Sequence, residues 1–100
     1  MNNYGLLDKE MDILKQLFSN YKTIDKVVLY GSRAKGSYRP FSDVDITLVG
    51  DNISLKDLLS LSDEIDEQMP YRFDISIYKN LKNENLKDHI RRRGITIYEA

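Results

Sequence analysis

Two stretches of this chain alternate strictly between apolar and polar residues, and that alternation limits its fold more than any other feature. In Asp43–Val49 (DVDITLV), Val44, Ile46 and Leu48 alternate with Asp43, Asp45 and Thr47. In Arg72–Tyr78 (RFDISIY), Phe73, Ile75 and Ile77 alternate with Arg72, Asp74, Ser76 and Tyr78. Successive side chains on a strand point to opposite faces, so each stretch is a strand with one apolar and one polar face. Helices are therefore expected against the apolar side only. The polar side is left open, and it carries three aspartates.

The remaining segments supply the other layers. Leu7, Met11, Leu14 and Phe18 recur at helical spacing, with Asp8 as candidate N-cap. Lys26–Tyr30 (KVVLY) is a short, β-branched apolar run ending at Gly31 and reads as a buried strand. Ser54 is placed to cap a helix, with Asp57 at the third position after it. Leu55, Leu58, Leu59, Ser62, Ile65 and Met69 form the expected inner face of that helix, and Pro70 follows its end. Asn83–Arg93 reads as a helix with Leu86 and Ile90 inward and Gly94 as C-terminal cap. Ile95–Tyr98 (ITIY) is the last short strand. Alternating helices and strands predict an α/β sandwich: a mixed, twisted four-stranded sheet with helices mainly on one face.

Composition narrows the function. A chain of 100 residues fits one domain, spanning 1–100, with a small core. Hydrophobic residues at 41% and charged residues at 31% are ordinary for a globular protein. A formal net charge of -1 argues against a protein held to nucleic acid by bulk charge. The absence of cysteine removes disulfides and thiolate metal sites, and a single histidine removes a multi-histidine zinc site. No apolar run approaches a membrane span, and the opening MNNYGLLDKE is not a signal peptide, so a cytoplasmic location is expected.

The polar strand faces carry the chemistry. Asp43 and Asp45 project from the same face, with Cα atoms roughly 6.5 Å apart. Asp74 begins the other alternating strand, and if the two strands are neighbours all three carboxylates converge. An all-oxygen donor set suits a hard cation such as Mg²⁺. Three carboxylates can hold two such ions about 3.5–4 Å apart, the spacing used for in-line displacement at phosphorus. Upstream, Gly31-Ser32 directly follows a strand, and glycine lets the backbone approach a ligand closely. Ser32 to Lys35 reads as the start of a short helix whose free N–H groups favour phosphate. Ser32 adds a hydroxyl, and Arg33, Lys35 and Arg39 add cations to the loop leading to the aspartates. A turn that grips phosphate and a carboxylate set that grips metal are the two halves of a nucleoside triphosphate site.

At these residues the sequence resembles the minimal nucleotidyltransferases of the polymerase-β-like superfamily. Their signature is Gly-Ser, ten residues, then Asp-x-Asp, and it stands here as GSRAKGSYRPFSDVDI from Gly31 to Ile46. Asp74 in RFDIS matches the third carboxylate of the family, and the ending GITIYEA is similar to its C-termini. The resemblance implies that Ser32 contacts the terminal phosphates and that Asp43 and Asp45 bind both Mg²⁺ ions. It implies that Asp74 completes the second metal site and is the candidate general base. Gly31, Ser32 and Arg33 are the implied nucleotide contacts.

Many such proteins are antitoxins of HEPN/MNT toxin–antitoxin pairs. The resemblance therefore implies transfer of AMP from ATP to a tyrosine of a HEPN ribonuclease toxin, within a hetero-oligomer. Larger relatives carry a second domain, whereas this sequence stops at Ala100, so a second protein is expected to bring the acceptor hydroxyl. Two other uses stay open: an antitoxin that neutralises by occlusion alone, and a subunit of an antibiotic-type small-molecule nucleotidyltransferase.

Other features have plainer readings. Arg91, Arg92 and Arg93 complement a helix dipole at its C-terminal end, and His89 reads as a helix-surface residue. Tyr30 and Tyr98 are expected in or near the core. Tyr38 and Tyr78 are weighed as site-lining or self-modified residues and read instead as ordinary tyrosines.

Overall fold

The computed structural model describes residues 4–100. Its elements are α1 (Asp8–Ser19), β1 (Lys26–Tyr30), α2 (Ser32–Lys35), β2 (Val44–Val49), α3 (Leu55–Gln68), β3 (Phe73–Ile77), a 3-10 turn (Tyr78–Asn80), α4 (Glu84–Arg93) and β4 (Ile95–Glu99). The strands form one mixed sheet in the order β3-β2-β1-β4. β1 is antiparallel to both β2 and β4, and β2 is parallel to β3. Parallel strands need a crossover, and α3 supplies it. The expected mixed four-stranded α/β architecture is the observed one.

The apolar faces of the two alternating strands point inward as their pattern requires. Val44, Ile46 and Leu48 of β2 and Phe73 of β3 join Val27 and Leu29 of β1 in one core with Leu14, Leu17 and Phe18 of α1 and Leu61 and Ile65 of α3. Each such side chain contributes about 1.5–3 kcal/mol on burial. Tyr98 is partly buried against this core, its ring 5.6 Å from that of Phe18.

Several boundaries differ from expectation. Leu7, not Asp8, is the N-cap of α1, because the Glu10 carboxylate reaches back to accept the Leu7 N–H at 2.8 Å. Ser54 caps α3 by accepting the Asp57 N–H at 3.0 Å, and Asn83 caps α4 in the same way for Leu86. The inner face of α3 is the expected one in part: Ile65 and Met69 are buried and Leu58 packs on the core, but Leu61 takes the place expected of Leu55 and Leu59. Leu61 and Ile65 are fully buried, whereas Leu55 and Leu59 are 65% and 57% exposed. The leucines of this helix form two overlapping stripes, and packing on β3 selects the one through Leu61 and Ile65. Asp43 lies just before β2, and Tyr78 opens the 3-10 turn instead of extending β3.

The main correction concerns α4. Helices were expected on the apolar side only, yet α4 packs on the opposite side, over β1. Val28 shares a face with its register partner Thr47, away from Val27 and Leu29. Ile90 of α4 is buried, and Gly94 sits against Val28. Gly94 does end the helix, but in ordinary backbone conformation (φ -67). Glycine is needed there for space: a Cβ would overlap the Ile90 carbonyl and the Val28 side chain. The signal was present in KVVLY, which does not alternate, as expected of a strand covered on both faces. Half of the polar face is thus roofed. Among the described residues no helix is long and apolar enough to cross a membrane.

Candidate active site

The site starts at a glycine whose backbone conformation side-chain-bearing residues rarely adopt. β1 ends at Tyr30, and Gly31 turns the chain with φ 79 and ψ -154, a region disfavoured for side-chain-bearing residues. Gly31 is also pressed against Asp45: a Cβ would collide with Oδ2 of that carboxylate. The phosphate-type turn and the carboxylate set are therefore in direct contact. Ser32–Lys35 form one helical turn closed by Gly36 in left-handed conformation (φ 84), with the Lys35 N–H on the Gly31 carbonyl at 3.1 Å.

Register places the carboxylates. Asp45 of β2 is the direct partner of Asp74 of β3, and on its other side Asp45 faces Tyr30 of β1. A row Tyr30–Asp45–Asp74 therefore crosses one face of the sheet. Asp43 lies just before β2, two residues from Asp45, and its charge, like that of Asp74, acts on Asp45. Burial, then Asp74, then Asp43 pushes the Asp45 carboxyl above its usual range. Asp43 and Asp74 are exposed and Asp45 is half-buried.

These donors suit a hard divalent cation in kind: all are carboxylate oxygens, and their mutual repulsion is what such an ion would relieve. Among the described residues, however, no group of three acidic or imidazole side chains is gathered closely enough to hold a metal as it stands.

Arg33 departs from expectation. It was expected to contact nucleotide, but its side chain is 1% exposed and points into the protein. Nε and Nη2 donate to the Ser42 carbonyl at 3.1 and 2.8 Å, and Nη1 donates to the Tyr4 carbonyl at 2.8 Å. The guanidinium lies 5.1 Å from the Tyr38 ring and 4.9 Å from the Tyr71 ring. With its donors occupied and two aromatic faces against it, Arg33 has nothing to offer a phosphate. It anchors the loop instead, because Ser42 directly precedes Asp43. The same loop is closed by a turn in which Ser42 N–H donates to the Arg39 carbonyl at 3.0 Å and Arg39 N–H donates to Ser42 Oγ at 2.7 Å. Lys35 and Arg39 remain exposed.

Tyr30 is the residue that sequence reasoning misplaced. It was expected near the core, but it lies on the carboxylate face, half-buried and in register with Asp45. Burial, and then the charges of Asp45 and Asp74, hold its hydroxyl in the protonated form. Strand alternation carried that information: Val27 and Leu29 face the core, so Val28 and Tyr30 cannot. Beneath the row, Ser76 Oγ donates to buried Thr47 Oγ1 at 2.9 Å. Tyr38 stacks on Arg33, and Tyr78 lies 5.0 Å from Lys87 Nζ, so both are engaged by cations.

Comparison with known proteins gives the family and the fold. A family model described as Polymerase beta, Nucleotidyltransferase matches residues 12–100. The structure is similar to a chain in the crystal structure of a toxin–antitoxin with AMP-PNP, at 17% identity over 95% of this chain and 75% of that one, with a TM-score of 0.73. It is similar to a chain of the toxin–antitoxin MntA–HepT at 14% identity, covering 94% and 74%, with a TM-score of 0.69. It is also similar to a chain of the tri-AMPylated Shewanella oneidensis HEPN toxin in complex with MNT antitoxin, at 14% identity, covering 92% and 71%, with a TM-score of 0.69. At these identities the likeness is one of fold. No curated protein sequence matches the chain.

Proposed function

The chain belongs to the Polymerase beta nucleotidyltransferase family, and from that premise we propose that it acts as one minimal domain transferring AMP from ATP to a tyrosine hydroxyl of a HEPN-type toxin, as that toxin's antitoxin. The observation that carries this reading is the contact of Gly31 with Asp45, which is itself in register with Asp74. Triphosphate turn and acidic row are thereby parts of a single site.

Two Mg²⁺ ions held by Asp43, Asp45 and Asp74 would offset the triphosphate charge and polarise the attacked α-phosphate. The protein's own residues do the rest. Gly31 lets the chain lie close against the phosphates, and Ser32 offers its hydroxyl and N–H to the terminal ones. Arg33 holds the 39–42 loop so that Asp43 starts from a fixed position. Asp74 is exposed on β3, an edge strand of the sheet, where an acceptor on a second protein can approach. There it takes the proton as the acceptor oxygen bonds to the α-phosphorus. The bond from that phosphorus to the bridging oxygen breaks, and pyrophosphate leaves. Holding both reactants in this geometry is the main contribution open to a small domain.

The choice of partner rests on likeness to chains found in toxin–antitoxin complexes, one with AMP-PNP and one with a tri-AMPylated HEPN toxin. The test is co-expression with a neighbouring HEPN-type protein, followed by intact-mass measurement of both chains. One or more AMP units on the partner, absent when Asp43→Asn replaces the wild type, is the expected result. A partner that is neither bound nor modified would leave only the nucleotidyltransferase assignment. Protection from the toxin by the Asp43→Asn variant would instead favour occlusion.

A further inference from the structure

Residues 4–10 lie before the stretch shared with the family, which begins at residue 12, yet they reach the loop that leads to Asp43. Tyr4 and Gly5 make a turn in which both have positive φ, 58 and 84. Among the described residues Tyr4 is the only non-glycine residue in that region. Such a conformation persists only where the surroundings impose it. Here the turn brings the Tyr4 carbonyl to Arg33, whose Nη1 donates to it at 2.8 Å. Gly5 lies against the same guanidinium: a Cβ there would stand 2.5 Å from Arg33 Nη1 and 2.6 Å from the Tyr38 ring. Leu6, the next residue, is buried in the core and ties the turn down.

A second attachment runs through Glu10, which is buried at the start of α1. Its carboxylate accepts the Leu7 N–H at 2.8 Å and the Tyr71 hydroxyl at 3.1 Å. The Tyr71 ring in turn lies 4.9 Å from the Arg33 guanidinium. One carboxylate thus fixes both the residue that follows the turn and a ring that holds Arg33. A buried guanidinium is costly unless its donors are met, so losing the Tyr4 carbonyl would draw Arg33 toward water and off Ser42.

We propose that residues 4–10 are a latch for the active-site loop. By closing on Arg33 they fix the 39–42 loop, and with it the position from which Asp43 meets its ligand. Gly5, Glu10 and Tyr71 are positioning residues, which act through Arg33 and not on substrate or metal. The latch is a property of the fold; its bearing on AMP transfer rests on the proposed function.

The test is hydrogen–deuterium exchange of the full chain, read by mass spectrometry, in wild type, Gly5→Asn and Tyr71→Phe. Asparagine tolerates positive φ, so Gly5→Asn introduces the Cβ contact with little backbone strain. Tyr71→Phe keeps the ring and removes only the bond to Glu10, so it guards against a Gly5 variant that fails to fold. In Gly5→Asn the Ser42 amide, bonded in wild type to the Arg39 carbonyl, should exchange about tenfold faster or more, with β1 and β2 unchanged. Tyr71→Phe should speed the same amide by a smaller factor. In transfer assays Gly5→Asn should need more Mg²⁺ than wild type for half-maximal rate. Unchanged exchange across 39–43 in both variants, or acceleration spread evenly over the whole chain, overturns the latch. A loosened loop with unchanged transfer and Mg²⁺ dependence overturns the positioning role. Loop exchange that rises as expected in a protein whose wild type transfers no AMP keeps the latch and loses the proposed function. Transfer by wild type with no change in loop exchange keeps the function and loses the latch.

Discussion

Arg33 holds the Ser42 carbonyl through two nitrogens, Nε at 3.1 Å and Nη2 at 2.8 Å. A buried cation is thereby spent on the residue that precedes Asp43, and loop position becomes coupled to the core. Lysine keeps the charge but has no planar fork, so Arg33→Lys should lose at least one charge-assisted bond and the stacking between Tyr38 and Tyr71. The expected loss is about 1.5–3 kcal/mol in urea unfolding, with transfer activity falling as well. An Arg33→Lys protein as stable and active as wild type would show that the loop does not depend on this anchor.

Glycines 31 and 36 make a matched pair. Both have positive φ, 79 and 84. A Cβ on Gly31 meets Asp45, whereas a Cβ on Gly36 meets nothing within 4 Å. Gly31→Ala should therefore displace Asp45 and reduce transfer by about 100-fold, the scale of a misplacement near 1 Å. Gly36→Ala carries only backbone strain of about 1–3 kcal/mol and should retain most activity. Equal kinetic loss in both would mean that strain alone accounts for the glycine at 31.

The raised Asp45 carboxyl makes a signed prediction. Its folded-state value lies above the unfolded one through burial, Asp74 and Asp43. The folded state then binds the proton more tightly, so this contribution is full below the unfolded value near about 4 and is lost as pH rises through the folded value. In chelator, Asp45→Asn should melt higher than wild type, by a margin that widens as pH rises above about 4. Mg²⁺ should raise the wild-type melting temperature more than that of the variant. Thermal melts across pH, with and without Mg²⁺, check both statements, and parallel curves for the two proteins would refute them.

Gly94 tests the placement of α4. Its φ is ordinary, so Gly94→Ala introduces no backbone strain, only overlap with Val28 and the Ile90 carbonyl. A loss of about 1–3 kcal/mol is expected from overpacking. If alanine is tolerated at no cost in denaturant melts, α4 does not lie against Val28 as described.

What the sequence made legible was local or periodic. Alternation in Asp43–Val49 and Arg72–Tyr78 assigned faces correctly because one side of each strand is buried. The Gly31-Ser32 turn was legible because its backbone demands glycine. Arg33 was not legible: its partners Tyr4 and Tyr71 are remote in sequence, and a cation beside a phosphate-type turn looks like a ligand until they are in place. The inward place of Leu61 on α3 was hidden for a similar reason, since Leu55 and Leu59 fit a helical stripe with Ile65 as well as Leu61 does. The position of α4 needed the non-alternating KVVLY to be read as evidence for a second cover. That roof brings Arg93 to Gly31, a juxtaposition no spacing along the chain reveals.

The central claim is that the row through Asp45 and Asp74 transfers a nucleoside monophosphate. The direct measurement follows two labels, one on the α- and one on the γ-phosphorus of ATP, with Mg²⁺ and the HEPN-type partner present. The account predicts the α label covalently on the partner, the γ label released as pyrophosphate, and neither product with Asp45→Asn. Equal labelling by wild type and Asp45→Asn, or a γ label on the acceptor, would contradict it.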